Sequence, residues 1–245
     1  MSVRLVVRTL SELCLTAGTL IVLFVVYVIF WTGVQADSAT AGQIDLLRRE
    51  WVDQPLPDAP ETAPGPAPAP PSPPAAVSAS DKPYTAGKGI AVMYIPRLGK
   101  DWEWPVLEGT AAATLKKGLG HYASTARLGE TGNFAVAGHR RTHGDPFKDF
   151  PRLRPGDAVV LTDGATWFTY RIAREPYRTV PTDIGVIDPV PSPLRKNAAA
   201  FDGPGRYLTL TTCEPEWGSS HRLIVWAHLD ATRPVTQGKP PALDS

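Results

Sequence analysis

The stretch YLTLTTCEPEWGSSHRLIVWAHL, Tyr207–Leu229, decides how this chain folds. Side chains alternate through Tyr207–Thr212 and again through Arg222–Leu229, the period of strands with one buried face. The short polar run between them closes a hairpin, with Cys213 ending the first strand and Arg222 opening the second. A thiol and a guanidinium then face each other across its mouth. Local pattern alone leaves Cys213 equally readable as a small buried hydrophobe and Arg222 as a solvated strand-end charge.

Working outward, Asn133–His139 (NFAVAGH) reads as an interior strand. Phe134 and Val136 share one face, and Asn133, Ala135, Ala137 and His139 share the other, with the imidazole at the C-terminal end. Further strands are expected at Ile90–Ile95, at Trp102–Leu107 around an edge-type Pro105, at Asp157–Leu161 and at Trp167–Ala173. Thr110 is placed to cap a helix over Ala111–Leu119. His121 follows that helix and suits either capping or lining a pocket, while His143 reads as exposed or as support for the loop after His139. Tyr177–Pro193, interrupted by Pro181, Pro189 and Pro191, is a long connection that is either a substrate wall or a rigid surface loop. Many short strands with few helices predict a mainly β domain, closed or nearly closed, closure being what removes exposed edges.

The amino-terminal part is different in kind. Leu13–Trp31 carries no charge and is long enough to cross a hydrocarbon core about 30 Å thick, with Tyr27 and Trp31 toward its outer end. Arg4 and Arg8 precede it, which predicts a cytoplasmic N-terminus and an extracytoplasmic remainder, although Val34-Gln35-Ala36 resembles a processing site. Pro55–Pro74 is dominated by proline and alanine and reads as a semi-rigid spacer, with a brief amphipathic helix conceivable at Ile44–Val52. The expected divisions are 1–12 cytoplasmic, 13–31 membrane anchor, 32–87 flexible spacer, 88–230 folded barrel and 231–245 tail. A formal charge of +1 gives no electrostatic case for a nucleic-acid partner. The two cysteines, Cys14 and Cys213, lie in the anchor and the folded domain, so no intramolecular disulfide is expected. No acidic cluster or Cys/His spacing calls for calcium or zinc, and the expected cofactor is none, with no metal.

A nucleophile, an acid/base and a cationic stabiliser are what acyl transfer through a thioester requires. TLTTC at Thr209–Cys213, AGHR at Ala137–Arg140 and RLIVWAHL at Arg222–Leu229 together resemble the three motifs of the sortases, cysteine transpeptidases of the Gram-positive surface. The resemblance implies an eight-stranded closed β-barrel with short helices behind one transmembrane helix. It also implies Cys213 as nucleophile, His139 as general acid/base and Arg222 as the oxyanion or substrate-positioning residue. IPRLG at Ile95–Gly99 and GHYASTARLGETGNFAVAGHRRTHGDPF at Gly120–Phe147 are similar to class E sortases of high-GC actinobacteria. That class implies cleavage of an LAxTG-type signal on surface proteins between threonine and glycine, and transfer to a peptidoglycan amine. Substrate-binding candidates are Tyr122, Thr211, Thr212, Glu214 and Trp217, with the Glu214–Trp217 run expected as a compact wall beside the thiol. Thr142-His143 stands where the class usually has a threonine-tyrosine pair, and Leu128 where a proline is common. The competing readings are an L,D-transpeptidase, whose SHGC-type motif is absent, a papain-like hydrolase, whose cysteine precedes its histidine, and an inactive tethered binding domain.

Overall fold

The structure, a computed structural model, describes residues 3–53 and 83–244. Nine strands follow the long helix α1 (Val3–Asp53): β1 (Gly89–Tyr94), β2 (Glu103–Glu108), β3 (Leu119–His121), β4 (Gly132–Ala137), β5 (Ala158–Thr162), β6 (Thr166–Ile172), β7 (Tyr177–Thr179), β8 (Arg206–Glu214) and β9 (His221–Pro234). Eight of them hydrogen-bond in the order β6-β5-β1-β2-β3-β4-β8-β9, and β9 returns to β6, closing a barrel. Closure satisfies the ladder of every strand in the ring, which an open sheet cannot do.

β9 has two partners on its outer side. Its far part, Ala227 to Pro234, pairs with β6 and seals the ring, whereas Arg222 to Ile224 pair with the short β7. Residues that alternate inward on these strands make the core: Met93, Val106, Phe134, Val136, Leu161, Tyr170, Leu208, Leu210, Val225 and Ala227 are all buried. At about 2 kcal/mol for each large aliphatic or aromatic group removed from water, this continuous interior is what stabilises the ring.

The outward face of β8 and β9 is roofed rather than solvated. The β7–β8 connection lays Val186 on Ile224 and Trp226. Trp226 Nε1 donates to the Val186 carbonyl at 3.0 Å, and Asn133 Nδ2 donates to the Asp188 carbonyl at 3.0 Å. Asp183, 3% exposed, accepts from Thr179 Oγ1 at 2.6 Å and from the Leu194 amide at 3.0 Å, which ties the two ends of the connection together. The long connection therefore begins as a strand and continues as an anchored wall.

Several expectations change. The helix anticipated over Ala111–Leu119 is the single turn α2 (Ala112–Leu115), because Leu119 is needed as a strand residue opposite Val106. Ala111 occupies the N-cap position without a side-chain bond, so Thr110 does not cap. Pro105 sits in a strand with neighbours on both sides. It faces Val92 of β1 and precedes the first β3 pair, Val106↔Leu119, so its missing N–H falls where β3 offers no partner. The carboxyl-terminal tail is partly ordered: β9 runs to Pro234, and Val235, Ala242 and Leu243 pack on Ala158, Val160 and Trp167.

The amino-terminal helix continues to Asp53, so the expected flexible spacer does not begin at residue 32; its proline-rich part, 54–82, lies outside the described residues. Among the described residues, Val7–Tyr27 is long and apolar enough to cross a membrane, at 21 residues or about 31 Å. It starts earlier than Leu13, and the expected interfacial side chain of Trp31 lies outside those described. With Arg4 and Arg8 before or at the start of this span, the chain has a single-pass topology with a cytoplasmic N-terminus and the barrel outside. Beyond the span, Ile44 and Leu47, each 4% exposed, pack on Val92 of the barrel.

Phe147 offers a direct test of this packing. It is fully buried, stacks on Trp102 with centroids 6.1 Å apart, and fills the space under Gly138. Phe147→Ala should lower stability by about 3–5 kcal/mol in chemical denaturation, the cost of a large unfilled cavity.

Candidate active site

The register of three strands decides which side chains meet. β4 and β8 are parallel, and their last pair is Ala137↔Thr211. Two residues further on, His139 comes level with Cys213. On the other flank β8 and β9 are antiparallel, and Cys213 pairs directly with Arg222. Alternation puts Thr209, Thr211 and Cys213 on one face of β8, the face on which Thr209 Oγ1 donates to Asn133 Oδ1 at 2.8 Å. That is the outer face, shared by Ala137 on one side and by Arg222, Ile224 and Trp226 on the other. Thiol and guanidinium thus sit on paired residues, the imidazole follows the end of the adjoining strand, and all three are half-buried.

His139 is delivered by a tightly held loop. Gly138 donates its amide to the Thr211 carbonyl at 3.0 Å, and a Cβ on it would come within 2.5 Å of the Phe147 ring, so this close approach requires glycine. Thr212 Oγ1 donates to the Gly138 carbonyl at 2.9 Å. Next in the chain, Arg140 is only 8% exposed and binds Glu214 through Nη1, which also reaches the Cys213 carbonyl at 3.5 Å. Arg141 pairs with Glu216 at 3.0 Å, and its guanidinium lies 4.5 Å from the centre of the Trp217 ring. Two successive arginines after the histidine therefore grip two acids and a tryptophan after the cysteine. Partly buried, charge-assisted contacts of this kind fix geometry as well as adding energy.

The Glu214–Trp217 run is accordingly drawn toward His139, with a cis peptide at Glu214–Pro215. Arg222 Nη1 donates to the carbonyls of Ser219 and His221, both at 2.9 Å. Across β4, Tyr122 OH and Thr211 Oγ1 lie 3.0 Å apart, so two of the expected substrate-binding residues are joined.

Two other expected substrate contacts do not point into the groove. Thr212 is 3% exposed on the inward-facing set and spends its hydroxyl on Gly138. Glu214, also out of phase with Cys213, is engaged by Arg140. Trp217 is 74% exposed at the rim. His121 is neither a cap nor a pocket residue: it lies in β3, 1% exposed, with Nδ1 2.6 Å from Glu108 and its ring stacked on Phe134. His221 and His228 lie away from the thiol, the first out of phase with Arg222 and the second far along β9. Arg140 and Arg141 were not singled out from the sequence; the signal was the match of Arg-Arg after His139 to Glu-Pro-Glu after Cys213, visible only once the two loops are adjacent.

The imidazole has one close aromatic neighbour. His143 stacks on His139 with centroids 4.8 Å apart and planes at 25°, and its Nδ1 is buried without a hydrogen-bond partner. His143 and Asp145 both have φ 55°, flanking Gly144, so the loop adopts a left-handed bend there at a cost of about 1 kcal/mol for each non-glycine residue. Burial, then the like charge of a protonated His143, then Lys116 hold the His139 imidazolium below the ordinary histidine range. Among the described residues no group of three or more His, Cys, Asp or Glu is arranged to hold a metal. Cys14 and Cys213 are both free thiols.

The sign of the His139 effect can be checked. A cationic neighbour opposes protonation, so His143→Tyr and Lys116→Gln should each make His139 titrate at higher pH in NMR of the imidazole carbons. An unmoved or downward-shifted curve would contradict the assigned cause.

Comparison with known proteins follows the same residues. The sortase domain matches residues 93–230, more than half of the chain. The structure of sortase E from Streptomyces avermitilis is 71% identical, with a TM-score of 0.60, covering 65% of this chain and 99% of that one. Sortase E1 from Streptomyces coelicolor, solved with a tripeptide in the active site, is 41% identical with a TM-score of 0.58, covering 64% and 97%. Sortase SrtE1 of Streptomyces coelicolor is 35% identical over 97% of this chain, which spans 61% of that relative's length. The chain belongs to the sortase family and is closely related to the class E sortases of actinobacteria.

Proposed function

We propose that the chain is a class E-type cysteine transpeptidase that cleaves an LAxTG-type signal and joins the upstream protein to a peptidoglycan amine. The single observation that carries the reading is the direct pairing of Cys213 with Arg222, next to the parallel β4–β8 ladder whose last pair, Ala137↔Thr211, lies two residues before His139 and Cys213. Family membership supports it, as does the tripeptide in the active site of the Streptomyces coelicolor relative.

Each residue has a separate task. The Cys213 thiolate attacks the carbonyl carbon of the threonine before glycine, forming a tetrahedral oxyanion. Arg222, whose two hydrogen bonds among the described residues both use Nη1, has Nε and Nη2 left to stabilise that oxygen or orient the peptide. The C–N bond to glycine then breaks, and the departing amine takes a proton from the His139 imidazolium, leaving a thioester on Cys213. An incoming amine attacks the thioester and passes a proton back to His139, and the amide forms as the thiolate leaves. The low imidazolium affinity of His139 suits a group that must release its proton readily to a basic leaving amine.

The preference for an LAxTG-type signal rests on the likeness to class E sortases. The Tyr122–Thr211 hydroxyl pair lies two residues before the thiol on β8, beside the small side chains of Ala135 and Ala137. The partners are surface proteins carrying a carboxyl-terminal LAxTG-type signal, the amine of a peptidoglycan stem or cross-bridge, and the membrane that holds α1.

With hydroxylamine as acceptor, an LAxTG peptide should be converted to its hydroxamate by the enzyme. Cys213→Ala should reduce turnover by roughly 10³-fold or more, and an LPxTG peptide should react more slowly than LAxTG. Retained activity in Cys213→Ala would sink the mechanism; equal rates for the two peptides would remove the preference while leaving the chemistry.

A further inference from the structure

The helix that carries the membrane span does not stop at the membrane. α1 is unbroken from Val3 to Asp53, and its last turns lie on the barrel. Ile44 and Leu47 pack on Val92, with Trp51 and Tyr94 at the margin of the same cluster. Arg48 Nη2 binds Glu103 at 2.8 Å. Two glycines make room for the contact. A Cβ on Gly89 would come 2.7 Å from Leu47, and one on Gly164 would come 2.2 Å from Trp51. Outward-facing Leu46, by contrast, is 58% exposed. The contact is apolar at its centre, charged at its rim and fitted on both sides, as in a packed protein interface.

Its position on the barrel matters as much as its strength. In the ring β6-β5-β1-β2-β3-β4-β8-β9, β1 lies four strands from β8 in either direction, so the helix grips the back of the barrel and the groove faces away from it. From Trp31, the end of the uncharged apolar run, to Leu47 the helix rises about 24 Å. A detached tether of roughly fifty residues would instead permit excursions approaching 160 Å at full extension.

We propose that residues 40–51 are a docking helix that fixes the barrel close above the membrane with its groove turned away from the helix. Residues 54–82 then connect the docked helix to β1 instead of setting the distance from the membrane. The consequence for catalysis, that the groove is presented to substrates borne by the same bilayer, rests on the transpeptidase reading above; the docking itself does not.

The test uses the full chain in phospholipid nanodiscs with Cys14→Ser and Cys213→Ala. Leu47→Cys with Gly89→Cys should oxidise to an intramolecular disulfide, so that fragments produced by cleavage within residues 54–82 stay joined until reduced. Leu46→Cys with Gly89→Cys should cross-link at least tenfold less. Equal cross-linking of the two pairs, none in either, or cross-links only between chains would overturn the proposal. In the same background, energy transfer from a dye on Lys148→Cys to a headgroup dye should have one value, and Leu47→Asp should change it at least twofold. No change would overturn the fixed height. With Cys213 restored, Leu47→Asp should keep hydroxamate formation from a soluble peptide within twofold, showing an intact barrel. Should the undisturbed chain transfer no peptide while the disulfide still forms, the transpeptidase reading fails and the docking stands.

Discussion

The parallel pairing of β4 with β8 is the constraint on which the site depends. Parallel neighbours cannot be joined by a tight turn, so the chain must leave β4, build β5, β6 and β7, and return before β8 can be laid down. The imidazole and the thiol are therefore separated by more than seventy residues in sequence, yet both follow directly on the end of one ladder. A slip of one residue in that ladder would turn Cys213 into the core and leave Thr212 in its place. The buried residues that alternate with the site, Leu208 and Leu210 on β8 and Phe134 and Val136 on β4, oppose such a slip, because each would have to leave the interior.

Backbone pairing ends before the chemistry begins, and side chains take over. β4 stops at Ala137, two residues short of His139, and the Cys213–Arg222 hairpin continues into an exposed loop. Arg140 on Glu214 and Arg141 on Glu216 bridge this gap between the two loops. Arg140 is nearly enclosed, so losing its acid would strand a cation out of water, whereas Arg141 spreads over Trp217 nearer the solvent. The inner contact sets geometry; the outer one covers it.

Strand alternation made much of this legible beforehand. The hairpin, the GH-bearing strand and a closed or nearly closed β domain are readable from period-two patterns, which also set His139 on the face opposite Phe134 and Val136; the eight-stranded barrel comes from the resemblance. What could not be read depended on contacts distant in sequence. Leu119 reads locally as the end of a helix because its parallel partner Val106 is invisible there, and His121 owes its strand position to the same pairing. Thr212 lay beside the cysteine in sequence, but alternation turned its hydroxyl to Gly138. The hydrophobic face at Ile44 and Leu47 was recognisable as an amphipathic turn, but a short amphipathic turn does not reveal what covers it.

The divided edge of β9 has a mechanical consequence. Ring closure relies on Ala227 to Pro234 against β6, while the stretch bearing Arg222 is flanked by the three-residue β7 and the anchored connection that follows it. The seam that closes the barrel and the stretch bearing Arg222 are thus separate lengths of one strand. A substitution at the Arg222 end therefore meets β7 and the connection after it and touches none of the β6–β9 pairs that close the ring, so that end can vary in sequence independently of closure.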